Sequence, residues 1–182
     1  MDLLSLNFIP FSMPLKLLID GYNVIKQSPS LRQFDALDLE SGREALLERL
    51  AAYRRVRGHK ITVVFDGWGS SHLASRDMSQ GGITVVFTKK GETADEWIMR
   101  RLGDLREGAV VTSDRGIKAY AERVGVPSIS SGEFERKMDE ALYADLKGID
   151  LDEMESARYV EKGPARRLSK KERKKKSLWE RL

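Results

Sequence analysis

The chain has 182 residues, of which 33% are charged and 41% hydrophobic, proportions that suit one globular domain with a tail and a single substantial core. It has no cysteine, which excludes disulfides and thiolate metal sites and fits a reducing compartment. Its apolar runs are no longer than strands, which excludes a membrane-spanning helix. The net charge of +4 is uneven: from Lys162 to Leu182 ten Lys/Arg face two Glu, a balance of +8, and the residues before them carry 22 basic and 26 acidic side chains, a balance of −4. An acidic body with a basic tail suits an anion-processing site beside a separate electrostatic handle; the plain alternative is a solvated tail.

In chain order, residues 1–13 form an N-terminal extension. It has an apolar patch but carries Asp2 and no basic n-region, so it is not read as a signal peptide. Residues 14–147 are expected to form the folded domain and 148–182 the charged, basic tail. Leu15 and Leu17–Ile19 are apolar and predict a buried parallel strand that stops at Asp20. A short helix over Tyr22–Gln27 is limited by Pro29, and a stronger one runs from Ser41 to Arg57, closed by Gly58. Ile61–Phe65 is the second strand and ends before Asp66. Gly67–Gly82 (GWGSSHLASRDMSQGG) is polar and non-periodic, a sixteen-residue loop of the length that tends to be functional.

Ile83–Phe87 is the third strand. A helix follows from Thr93, where Thr93 and Glu96 have capping-box spacing, with Gly108 as its end. Ala109–Thr112 is the fourth strand, Asp114–Val124 a helix closed by Gly125, and Val126–Ile129 a fifth strand. Ser130 and Glu133 repeat the capping-box spacing and open a helix to about Leu146. Beyond Gly148 no segment has a clear packed role, although Ser169 and Glu172 allow a basic helix. Strands alternating with helices predict an α/β fold, a three-layer α/β/α sandwich with a mainly parallel sheet of about five strands.

Asp20, Asp66 and Asp114 each follow a strand, and Asp95 lies in the first turn of a helix that follows another. In a parallel sheet all four reach the rim where open α/β folds keep their sites. Carboxylates gathered in a cleft raise one another's pKa, and the usual resolution is a hard divalent cation. Oxygen-only ligation favours Mg²⁺ or Mn²⁺, and such an ion suits phosphodiester hydrolysis. Each acid also has a plainer reading. Asp20 and Asp66 precede glycine and make turns, Asp95 and Glu96 favour a helix dipole, Asp114 caps a helix, and Asn23 starts one. Acids at several strand ends of one sheet are what those readings explain poorly. No phosphate-binding G-x-x-x-x-G-K-[ST] occurs, and Gly67-Trp68-Gly69 lacks the third glycine of a dinucleotide fingerprint. His59 and His72 lack metal-ligand spacing and are expected at the surface. No nucleophile elbow is present.

DGYNVI at 20–25, VVFDG at 63–67, GGITVVFTKKGETADEWI at 81–98 and VVTSDRGI at 110–117 resemble the NYN domain, in its bacterial YacP-like branch of the PIN-like nuclease group. The resemblance runs from about Leu15 to Leu146. It implies a metal-dependent ribonuclease acting on single-stranded RNA, in a family associated with translation and the ribosome. Asp20, Asp95 and Asp114 match its acidic metal ligands, Asp66 the acid of the VFDG motif, and Asn23 the asparagine of the first motif. Ser113 and Arg115 flank the last aspartate. On this reading the chain is a cytoplasmic endoribonuclease using Mg²⁺ or Mn²⁺, with RNA and the ribosome as partners. Asn23 and Ser113 orient water or phosphate. Trp68, His72, Arg76, Lys89, Lys90 and Arg115, with Arg166, Arg167, Lys170 and Lys171 of the tail, hold RNA by charge and stacking. A non-catalytic RNA-binding module on the same scaffold is the alternative. A haloacid-dehalogenase-type phosphotransferase ranks last, because Tyr22 stands where the second acid of its D-x-D pair would be.

Overall fold

The structure, a computed structural model, describes residues 14–36, 38–67, 76–149 and 170–182. Its elements in chain order are β1 (Lys16–Asp20), α1 (Gly21–Gln27), α2 (Pro29–Asp35), α3 (Leu39–Arg57), β2 (Lys60–Phe65), β3 (Arg76–Gln80), β4 (Ile83–Phe87), α4 (Ala94–Leu102), β5 (Gly108–Val111), α5 (Arg115–Arg123), β6 (Ser128–Ile129), α6 (Ser131–Lys147) and α7 (Lys170–Arg181). The strands form one six-stranded sheet in the order β3-β4-β2-β1-β5-β6. Every neighbouring pair is parallel except β3–β4.

Both sheet faces are covered, and the period-2 alternation of the strands assigns each residue to one of them. Leu17, Ile19, Val63, Phe65, Val85 and Val111 face one core with Leu46, Leu50 and Tyr53 of α3 and Phe134 and Met138 of α6. Leu18, Val64, Val86 and Val110 face the other, against Trp97 and Ile98 of α4 and Ile117 and Ala121 of α5. This is the three-layer α/β/α arrangement that the strand and helix alternation predicts.

The sheet has one strand more than expected. Arg76–Gln80 pairs antiparallel with Ile83–Phe87 across Gly81 and Gly82, whose φ values of 58° and 78° suit a two-residue hairpin turn. The polar sequence RDMSQ hides the strand, because an edge strand needs no apolar stripe. Pro29 begins a helix as well as limiting one: the Ser28 hydroxyl accepts from the Leu31 amide at 3.2 Å, and proline fits the first helical position. The third helix starts at Leu39, capped by Asp38 through the Ser41 amide at 2.7 Å, rather than at Ser41. The fourth stops at Leu102, and Gly108 opens β5 instead of ending the helix.

Two further expectations are corrected. The end of the basic tail has a packed role: α7 buries Leu178 and Leu182 in the α3/α6 core. His59 is buried, 2% exposed, because α7 covers it. Its Nδ1 accepts from the Leu15 amide at 3.4 Å, and its Nε2 faces the Arg181 carbonyl at 2.9 Å, so Nε2 carries the proton. The Tyr53 hydroxyl donates to the Leu182 carbonyl oxygen at 2.6 Å. The expected N-terminal extension lies outside the described residues.

Candidate active site: a carboxylate rim

Asp20 is the last residue of β1 and the cap of α1, so one side chain ends a strand and starts a helix. Alternation from Leu18 turns it toward the α4/α5 face. It is 6% exposed. Its Oδ1 accepts from the Asn23 amide at 3.2 Å and its Oδ2 from the Thr112 hydroxyl at 3.0 Å. Burial pushes its carboxyl up to about 6; those two hydrogen bonds pull it down, and Asp95 and Asp66 push it up further.

The Gly21 that follows is required by packing: a Cβ there would lie 2.2 Å from the Phe65 ring. This close approach lets α1 leave directly from the strand end.

Asp66 follows β2 and accepts from the Ala94 amide at 2.6 Å, so it fastens the N-terminus of α4 to the end of the strand. Beside it the Gly67 amide donates to the Thr88 hydroxyl at 2.9 Å. Asp95, in the first turn of α4, is half-buried. Its carboxyl is raised by burial and by Asp114, Asp66 and Glu96. Glu96 completes the capping box with Thr93, which leaves Asp95 free of capping work. Asp114 caps α5 through the Ile117 amide at 2.9 Å, and its own amide donates to the Thr112 hydroxyl oxygen at 3.1 Å.

Asp20 is thus raised by Asp95 and Asp66, and Asp95 by Asp114 and Asp66. The four acids share one electrostatic field at the C-terminal rim of the parallel strands.

Asn23 and Ser113 belong to the same rim. The Asn23 Oδ1 accepts from the Ser113 amide and from the Ser131 hydroxyl, both at 2.8 Å, and the Ser113 hydroxyl oxygen accepts from the Ser131 amide at 3.2 Å. Thr112 and Ser131 are the residues that sequence reasoning missed. Thr112 stands beside Ser113 in the VVTSDR motif, and Ser131 opens α6; a hydroxyl that links the Asp20 carboxylate to the Asp114 backbone amide, or one that reaches Asn23, has no signature of its own in a sequence.

Among the expected nucleic-acid contacts, Lys89 and Lys90 are exposed just past β4, and Arg115 is exposed as the first residue of α5. Arg76 is paired in register with Phe87 at the end of β4, which puts its backbone on the same rim. Lys170 and Lys171 open α7. Trp68, His72, Arg166 and Arg167 lie outside the described residues.

A donor set made only of carboxylates, two of them with raised pKa values, fits the chemistry of a hard divalent cation. Among the described residues, however, no three Asp, Glu or His side chains are grouped closely enough to hold an ion as they stand. Binding one requires the acids to converge.

A mostly parallel α/β/α sandwich with acids along the C-terminal rim of its strands defines a nuclease-like domain of the PIN-like class. The family profile described as the YacP-like NYN domain matches residues 17–181, and the chain belongs to that family. Over 105 residues it is 36% identical to the uncharacterized protein YacP of Bacillus subtilis (strain 168), a stretch covering 54% of this chain and 59% of that protein. The matched stretch is therefore under two thirds of that relative's length.

Two solved structures are similar to it. The crystal structure of Rae1 (YacP) from Bacillus subtilis is 27% identical, covering 81% of this chain and 85% of that one, with a TM-score of 0.61. That of a point mutant of the same protein is 28% identical, covering 78% and 84%, also with a TM-score of 0.61. No helix among the described residues is long and apolar enough to cross a membrane.

Proposed function

We propose that this chain is a cytoplasmic, metal-dependent endoribonuclease that hydrolyses phosphodiester bonds in single-stranded RNA, with mRNA on the ribosome as its setting. The observation that carries this reading is the gathering of acids from separate strand ends and a helix start at one rim: beyond burial, Asp95 and Asp66 push the Asp20 carboxyl up, and Asp114 and Asp66 push up that of Asp95. Such a cluster opposes folding until protons or a cation neutralise it, so its presence supports a use for concentrated negative charge. Asp20, Asp66, Asp95 and Asp114 would hold Mg²⁺ or Mn²⁺, and the bound ion supplies acidified water and charge neutralisation at a phosphoryl oxygen.

The other residues of the rim orient the substrate. Because the Asn23 Oδ1 is fully used as an acceptor, its Nδ2 is left to donate to a phosphate oxygen. The Ser113 hydroxyl oxygen accepts from the Ser131 amide, so its proton is available to the same phosphate. Lys89, Lys90 and Arg115 stand exposed at this rim and suit the strand's backbone charge. Arg76, Trp68 and His72 keep their expected role as RNA contacts, with the tail cations as a second handle.

The wide spacing of the acids favours one other reading, an RNA-binding module without turnover. A single experiment separates the two. Single-stranded RNA is incubated with Mg²⁺ or Mn²⁺, with and without EDTA, beside the Asp20→Asn variant. The expected result is cleavage that EDTA abolishes and that the variant slows at least ~100-fold, about 2.7 kcal/mol of barrier. RNA bound but left intact under all conditions would establish the binding module instead.

A further inference from the structure

The sheet has a second rim, at the N-terminal ends of β1 and β2, and it carries the opposite charge. There a groove of about 430 Å³ opens beside the C-terminal end of α4. Lys16, Lys60, Arg54 and Arg101 line it, with Asp104 as the sole carboxylate in the lining. None of the four cations makes a salt bridge among the described residues. Arg101 instead lies over the Trp97 ring, 4.9 Å from its centroid, which orients the guanidinium plane and leaves its N–H edge available. Arg54 comes from the far side of the sheet: its guanidinium fills the space over Gly82, where a Cβ would lie 2.5 Å from Nη1.

Lys16 and Lys60 make the strongest case. They are registered neighbours on adjacent parallel strands. By alternation both point to the side of Leu18 and Thr62, into the groove. Like charges directly across a strand pair are unfavourable, and two more unpaired cations add to that cost. The arrangement becomes favourable once anions occupy the groove.

We infer that this groove is a second RNA-binding site, which holds backbone phosphates of a strand on the rim opposite the acids. Among the described residues its lining has no histidine and no acid but Asp104, so it is assigned a holding role rather than a cutting one. Four cations spread over two strands and two helices suit successive phosphates of a chain better than one small anion. The inference takes from the proposed function only that the polyanion is RNA. It is independent of whether the chain cleaves.

The test is binding of an unstructured RNA of about 30 nucleotides, long enough to pass both rims. It is measured over a range of salt in EDTA, so that turnover plays no part. The variants are Lys16→Gln/Lys60→Gln, which removes two exposed charges, and Thr84→Glu, which places a carboxylate in the groove. For the double variant the expected result is roughly tenfold weaker binding near 0.1 M salt and a log–log salt slope shallower by about 1.4, two phosphate contacts on a single strand. Thr84→Glu should weaken binding in the same direction, and both variants should melt no lower than the wild type.

Unchanged affinity and slope in both variants would overturn the inference. So would wild-type protein that binds no RNA in EDTA, or a groove that inorganic phosphate or AMP fills as tightly as RNA does. RNA held through the groove but never cut would leave the groove standing and remove the nuclease reading. Cleavage with both variants unaffected in binding would do the reverse.

Discussion

Burial keeps the Asp20 carboxyl protonated up to about pH 6, and the Asn23 amide and Thr112 hydroxyl offset this only in part. Its folded pKa therefore lies above the ordinary 3.8, so its contribution to stability is full below pH 3.8 and is lost as pH rises through about 6. His59 runs the other way. Burial lowers its pKa from 6.5 to about 4, so its contribution is full above pH 6.5 and is lost as pH falls toward 4. Over this range the two slopes oppose each other. Asp20→Asn removes one of them. In EDTA, its stability relative to wild type should grow by up to about 3 kcal/mol between pH 4 and pH 7. Urea unfolding at the two pH values checks this, and a difference that does not change with pH would show that Asp20 is not penalised by burial. The four aspartates were legible because each stands beside a strand end or a helix start. His59 was not, since nothing near it in the chain shows that a helix more than a hundred residues later will cover it.

Some helix ends were readable, although the start of α3 and the end of α4 were not. The boxes Thr93/Glu96 and Ser130/Glu133 form as their spacing predicts, because a cap is satisfied within four residues. Gly58 and Gly148 take the left-handed conformation that closes α3 and α6. β3 and α7 were harder. The polar β3 exists through its pairing with β4, and the Gly81-Gly82 turn was the one local signal for it. In α7 a basic sequence conceals Leu178 and Leu182, whose burial contributes about 1.5–3 kcal/mol each. Deleting residues 170–182 should therefore lower unfolding stability by about 3–6 kcal/mol, read from the urea midpoint at constant slope. A truncated protein as stable as the full chain would mean that α7 does not pack where it is placed. For the same reason truncation is a poor test of the tail's charge. Neutralising Arg166, Arg167, Lys170 and Lys171 to Gln keeps the packed residues, and it should weaken RNA binding and flatten its salt dependence; an unchanged salt slope would exclude these four from RNA contact.

For the whole molecule, the two rims of one sheet differ in charge: four acids, with exposed cations beside them, gather at the C-terminal strand ends, and cations without a salt bridge among the described residues gather at the N-terminal ends. If the acidic rim takes up a divalent ion, that ion binds the native state and not the unfolded chain. Mn²⁺ or Mg²⁺ at about 100 times its Kd should then stabilise the wild type by about 2.7 kcal/mol. The gain should disappear in Asp20→Asn and Asp114→Asn, as followed by thermal melting. Equal stabilisation of all three proteins would place the ion elsewhere. The sequence by itself determined the layer architecture, the strand ends that carry acids, and the caps that start α4 and α6. These depend on residue spacing within single elements, where periodicity and hydrogen-bond reach are local. Tertiary structure alone decided that Thr112 bridges Asp20 and Asp114, that Asn23 reaches Ser113 and Ser131, that α7 closes over His59, and that Lys16 stands beside Lys60. Each of these depends on strand order and register, which bring together residues tens of positions apart and which no local pattern encodes.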